Sequence, residues 1–184
     1  MKQLTMAELE AGLDEIRQSP KDEGLLELIV RRPHLDEREV LEHGELHLAD
    51  GLVGDSWNVR SSSKTRDGSP HPDMQLNIMN SRAIALLAQD KNRWQLAGDQ
   101  LYIELDLSAG NLPAGARLAI GSAVIEVTPT PHTGCKKFVA RFGRDAMKFV
   151  NSPVGRELRL RGLNARVVQP GAIKVGDAVR KIGL

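Results

Sequence analysis

The chain has 184 residues, 41% of them apolar, enough to bury one domain's core or one domain with an appendage. A net charge of +1 and an aromatic content of 3% leave neither a uniformly basic surface nor a base-stacking platform, which argues against nucleic-acid binding. One cysteine excludes an intramolecular disulfide and any Cys-pair zinc site.

The first predicted element is an amphipathic helix over residues 3–18. Thr5 and Glu8 make a capping-box pattern, and Leu9, Leu13 and Ile16 fall on one face. Charges are scattered through this stretch and no apolar h-region is present, so it does not read as a signal peptide. We take 1–23 as a helical appendage, docked on the main domain or free to bind a partner, and 24–184 as the domain itself. No apolar run approaches the ~20 residues of a membrane span. The expected compartment is the cytoplasm, where Cys135 stays reduced.

GLLELIVRRP (24–33) predicts a strand closed by proline, and 35–43 a short helix. Residues 44–57 are turn-rich. NVRSSSKTRDGSPHP (58–72) is polar and reads as a long loop, either functional or disordered. MQLNIMN (74–80) alternates as a strand does, and Ser81 then caps a helix over 82–89. Strands follow at 100–107, 116–121 and 122–130. Two helices at 136–143 and 144–150 break at Gly143, and late strands are expected at 163–171 and 177–182. Short strands between turn signals, with a few short helices, indicate a mainly β fold of barrel or sandwich type, α+β by content.

The charge is unevenly spread. Residues 1–55 carry 14 acidic and 6 basic side chains, whereas 135–166 carry 9 basic and 2 acidic. Such a basic half attracts an anionic ligand or complements the acidic half within the molecule. His43 and His47 have a metal-ligand spacing, but Gly44 between them weakens a helix and HExxH is not matched. Two exposed histidines is the better reading. P-loop, dinucleotide-fingerprint and GxSxG patterns are all lacking.

The most informative stretch is VIEVTPTPHTGCKKFVARFG (124–143). A strand runs out through two prolines into the His132-Thr133-Gly134 turn, and Cys135 opens a predicted helix. A helix N-terminus and the adjacent Lys136 and Lys137 lower a thiol's pKa and favour thiolate, the nucleophile and soft-metal ligand. His132 is near enough to accept a proton or to donate to phosphate. The alternative is a small, buried, inert Cys135.

Four segments in order resemble the MOSC domain, named for the C-terminal domain of molybdenum cofactor sulfurase. They are GLVGDSW (51–57), GDQLYIELDLSAGNLPAGARLAIG (98–121), SAVIEVTPTPHTGCKKFVARFG (122–143) and IKVGDAV (173–179). Together they span roughly residues 25–182. Three departures stand out: Asp99-Gln100 in place of Glu-Asn, Ser56-Trp57-Asn58 in place of a more basic run, and Gly134 in place of proline.

The resemblance implies a compact β-barrel-like fold with Cys135 in a cleft. It further implies binding of molybdenum cofactor, with Cys135 as a persulfide carrier or a thiolate ligand to molybdenum. The chemistry would be sulfur transfer or reduction of N-hydroxylated compounds, as in the mitochondrial amidoxime-reducing component. Candidates for the pterin's phosphate are Arg60, Lys64 and Arg66 on the long loop, and Lys136, Lys137 and Arg141 after the cysteine. Asn77 and Arg82 would make further polar contacts. Pyridoxal phosphate would reside only on a separate desulfurase, and reductase chemistry would need a separate electron-transfer protein. Whether the chain is an enzyme stays open: a non-catalytic module for a phosphorylated small molecule or a partner protein fits the same residues.

Overall fold

The computed structural model describes residues 3–62 and 64–183. Its frame is a closed, seven-stranded barrel. The strands are β1 (Glu23–Arg31), β5 (Leu76–Asn80), β6 (Leu101–Ile103), β7 (Arg117–Ile120), β8 (Ala123–Val127), β9 (Leu163–Gln169) and β11 (Ala178–Ile182). They run in the order β11-β7-β8-β9-β5-β6-β1, and β1 pairs back with β11 to close the ring. Closure removes the free edges that a seven-strand open sheet would expose. β2 (Glu39–Leu41) extends β1 outside the ring, and β3 (His43–His47), β4 (Gly51–Leu52) and β10 (Gly171–Lys174) form a small second sheet. The mainly β, barrel-like expectation is met.

Two apolar clusters divide along the strands. Leu26, Ile29, Leu76, Ile78, Leu101, Ile103, Leu118 and Ile125 fill the barrel. Leu28, Val30, Met79 and Tyr102 point outward and pack under the helices with Ile84, Phe138, Phe142 and Phe149. In β1, Leu26 and Leu28 lie on opposite faces although two residues apart. The pairing with β6 shifts register between them, and such a bulge flips the side-chain phase.

The helices form one layer on that outer face. α1 (Met6–Ala11) and α2 (Leu13–Arg17) carry the expected capping box, with the Thr5 amide donating to Glu8 Oε2 at 2.8 Å. Leu9 and Ile16 are buried against the barrel-side helices. Arg82 pins this segment: its guanidinium binds Glu104 at 2.7 Å and Glu15 at 3.2 Å. α3 (Ser81–Ala88) crosses between β5 and β6, which are parallel. Its cap is Asn80, whose Oδ1 accepts from the Ala83 amide at 3.0 Å, rather than the expected Ser81. α4 (Lys136–Phe142), α5 (Arg144–Asn151) and α6 (Pro153–Glu157) follow the cysteine. Gly143 breaks α4 from α5 at φ +97°, in the left-handed region that favours glycine.

The helix expected over 35–43 does not form. Val30 pairs with Val40 and Arg31 with Glu39, and the Arg31–Glu39 ion pair at 2.6 Å fastens β2 to β1. Strand pairing there overrides local helix propensity.

Candidate functional site at the barrel mouth

Cys135 sits at the N-cap of α4, with extended backbone, and its carbonyl accepts from the Phe138 and Val139 amides. It is exposed, so the buried, inert reading of this residue fails. Phe138 and Phe142 anchor the buried face of α4. Lys137 and Arg141, one turn apart, face Asp36 at 2.7 and 3.6 Å. The acidic and basic halves of the sequence therefore meet here.

Beneath this helix lies a buried polar network. Arg32 and Asp55 form a two-pronged ion pair: Nε donates to Oδ1 and Nη2 to Oδ2, both at 2.8 Å. The remaining Arg32 nitrogen donates to Asn77 Oδ1 and to the Gly98 carbonyl, each at 2.9 Å. Asn77 hands on to Asn164 Oδ1 at 2.7 Å, and Asn164 to the Thr130 carbonyl at 2.9 Å. The network thus connects the end of β1 to the segment that leads to Cys135.

Above it, guanidiniums crowd together without enough carboxylates. Arg38 and Arg60 are half-buried. Burial pulls the pKa of each below the ordinary arginine value, and so do neighbouring cations: Arg141 and Arg32 for Arg38, Arg32 and Arg38 for Arg60. Arg38 Nε and Trp57 Nε1 are buried with no hydrogen-bond partner among the described residues. A cavity of about 160 Å³ opens here, lined by Arg32, Trp57, Arg60, Ser62, His71 and Asn77 among others.

His132 lies on the approach to the cysteine, its Nδ1 3.4 Å from Asp99 Oδ1. Burial, reinforced by the charges of Arg161, Arg32 and Lys64, holds its pKa well below the usual histidine value. Its surroundings therefore disfavour the charged imidazolium, and the ring is suited to accept a hydrogen bond rather than to carry charge. Asp99 is fully buried, and both of its carboxylate oxygens accept from Arg161 Nη1, Oδ2 at 2.7 Å and Oδ1 at 3.0 Å. Burial raises its carboxyl above the ordinary range, against the pull of Arg161.

Of the residues expected from sequence, Arg60 and Asn77 line the mouth cavity, Lys137 and Arg141 meet at Asp36, and Cys135 heads the helix that carries those two without lining the cavity itself. Lys64 is near enough to act on His132. Arg66 and Lys136 are exposed, with no described side-chain partner. Arg82 is engaged by Glu104 and Glu15 at the helical appendage. Sequence reasoning missed Arg32, Arg38 and Arg161. The one signal for Arg32 was a charged residue ending an apolar strand. Arg38 was hidden in the mistaken helix. His43 and His47 lie on β3 and are exposed, and no group of three metal-binding side chains occurs among the described residues.

The fold is thus a small closed β-barrel that carries one exposed thiol, Cys135, at the head of α4. The family model of the MOSC domain matches residues 65–180, more than half of the chain, and the chain belongs to that family. No curated protein matches it. Among solved structures, the YuaD protein from Bacillus subtilis superposes with a TM-score of 0.58 at 16% identity, over 85% of this chain and 94% of that one. YiiM from Escherichia coli gives 0.55 at 18%, over 87% and 70%. YiiM from Geobacillus stearothermophilus gives 0.54 at 15%, over 88% and 75%. At these identities the likeness is one of fold. No helix is long and apolar enough to cross a membrane among the described residues.

Proposed function

We propose that the chain binds molybdenum cofactor across the barrel mouth and uses Cys135 as its sulfur carrier or as a thiolate ligand to molybdenum, in the cytoplasm. The observation that carries this reading is the set of crowded guanidiniums beside an exposed thiol. Arg38 is repelled by Arg141, and Arg60 by Arg38; a phosphate among them would relieve that repulsion with charge-assisted hydrogen bonds. The unpartnered Arg38 Nε and Trp57 Nε1 are donors aimed at no protein acceptor, which fits a polar ligand at the mouth.

The residues present suit the group. Arg38, Arg60 and Arg141 would hold the pterin's phosphate, with Lys64 and Lys137 adding charge at the rim. Asn77 is locked by Arg32 and Asn164, so it offers a fixed amide edge. When bound, the cofactor supplies two-electron exchange at molybdenum, the chemistry that reduction of N-hydroxylated compounds needs. Cys135 offers a soft sulfur donor. His132, disfavoured as a cation, would accept a hydrogen bond on the approach to that sulfur. Sulfur transfer would need a separate pyridoxal-phosphate desulfurase, and reduction a separate electron-transfer protein.

The test is to purify the protein from a host that makes molybdenum cofactor and to measure bound molybdenum, with Cys135→Ser alongside. Stoichiometric metal that the variant loses supports the ligand role. Cyanide-labile sulfur on Cys135 without metal supports the carrier role. Neither signal overturns both and leaves a non-catalytic module for a phosphorylated small molecule.

A further inference from the structure

A larger cavity, of about 490 Å³, lies behind the segment that leads to Cys135 and shares no lining residue with the mouth. One wall is residues 128–133. The other is the end of α5, α6 and the start of β9. Its ionisable lining is His132, Arg156, Arg159 and Arg161, with no carboxylate among them.

Each of these four groups has unused capacity. Arg161 spends Nη1 on Asp99 and Nη2 on the Ala97 carbonyl at 3.0 Å, yet its buried Nε has no partner. Only 7% of that side chain is exposed. His132 Nδ1 is buried 3.4 Å from Asp99 Oδ1 but makes no hydrogen bond to a described residue. Among the described residues Arg159 bonds only backbone carbonyls, those of Leu112 at 2.6 Å and Leu107 at 3.4 Å, and no acid offsets its charge. Arg156 is exposed and has no described partner.

The backbone holds these groups in place. α6 closes with the Leu160 amide donating to the Gly155 carbonyl at 2.8 Å, and Arg159 takes the left-handed residue of that turn at φ +49°. Glycine is the usual occupant of such a position. Gly162, at φ +105°, follows Arg161. A Cβ there would come within 2.2 Å of the Ile78 carbonyl oxygen and 3.3 Å of His132 Nδ1. Only glycine lets β9 start so close beneath the histidine. Between the cations the lining mixes apolar Pro129, Pro131, Val150 and Leu163 with the neutral polar Thr128, Thr130, Thr133 and Asn151.

We propose that this cavity is a second binding site, one that takes a small organic anion: a phosphate or carboxylate on an apolar body. Arg156 and Arg159 hold the anionic end, Arg161 Nε and His132 supply neutralising or polar contacts at the floor, and the proline and aliphatic walls cover the body. An inorganic ion alone would leave those walls unused. The site shares His132 with the approach to Cys135, but no lining residue with the mouth cavity.

The test uses the full chain carrying Arg60→Met, which weakens anion binding at the mouth and isolates the second cavity. Phenyl phosphate and benzoate are titrated by calorimetry, with thermal stabilisation as a parallel readout. We expect saturable binding of at least one probe, weakened roughly tenfold or more by Arg159→Met or Arg156→Met, the loss of one charge-assisted contact. Arg156 is exposed, so its substitution leaves the fold intact even where that of Arg159 does not. No saturable binding of either probe, or binding that neither arginine substitution weakens, overturns the proposal. Neither outcome bears on molybdenum content.

Discussion

Asp55→Ala tests whether the buried network is what fixes the mouth. Asp55 is fully covered and Arg32 nearly so. Asp55 Oδ1 accepts from the Arg32 amide and Nε, and Oδ2 from Arg32 Nη2, the Trp57 amide at 3.0 Å and Gln100 Nε2 at 3.3 Å. Truncation strands a guanidinium in the interior and leaves two neighbouring donors unpaired. Breaking a buried pair in this way costs about 3–5 kcal/mol. At about 2–4 °C per kcal/mol for a domain of this size, the melting temperature falls by on the order of 10 °C. Urea unfolding should show an earlier midpoint with an unchanged slope. The double variant Arg32→Met/Asp55→Leu removes both charges and should recover at least ~2 kcal/mol, since an apolar pair avoids the desolvation penalty. A loss under about 1 kcal/mol for Asp55→Ala, or strict additivity in the double variant, would refute the view that the pair is internally compensated.

Three further outcomes follow from the same geometry. The His132 pKa is depressed on folding, so below the unfolded value near 6.5 the unfolded chain binds the extra proton; stability should fall with acidification from about pH 6.5 down to the lowered folded pKa, at up to about 1.4 kcal/mol per pH unit for this group, and stay flat above. His132→Gln should flatten that part of the stability–pH curve, and an unchanged slope would show that other groups cause it. Gly162→Ala should destabilise by roughly 2–3 kcal/mol in denaturant melts, because the added methyl meets the Ile78 carbonyl at a strained φ; a near-neutral change would mean that β9 can shift there. Iodoacetamide should alkylate Cys135 in the native protein without denaturant, as read by mass spectrometry, and a requirement for urea would contradict its exposure.

Much of the site's location was written in local sequence. The prolines, the His132-Thr133-Gly134 turn and the apolar helix face after Cys135 are short-range signals, and they placed the thiol at the head of α4 as the structure does. The break at Gly143 and the capping box at Thr5 and Glu8 were legible for the same reason: each is decided by residues three or four apart. The barrel itself was legible only as a class, through the count and spacing of short strands.

What tertiary structure alone decided was which distant residues meet. Asp36 is joined to Lys137 across about a hundred residues of sequence, and Asp99 to Arg161 across sixty-two. Beyond its place at the end of an apolar strand, local sequence does not mark Arg32 as buried, because a guanidinium can leave water only where the fold supplies Asp55, Asn77 and the Gly98 carbonyl together. β2 turned out a strand, not a helix, because β1 offered it a partner edge. Local sequence sets what each segment can do through short-range sterics and hydrogen bonding. Long-range pairing and burial choose among those options, and here they assembled the cationic mouth around Cys135.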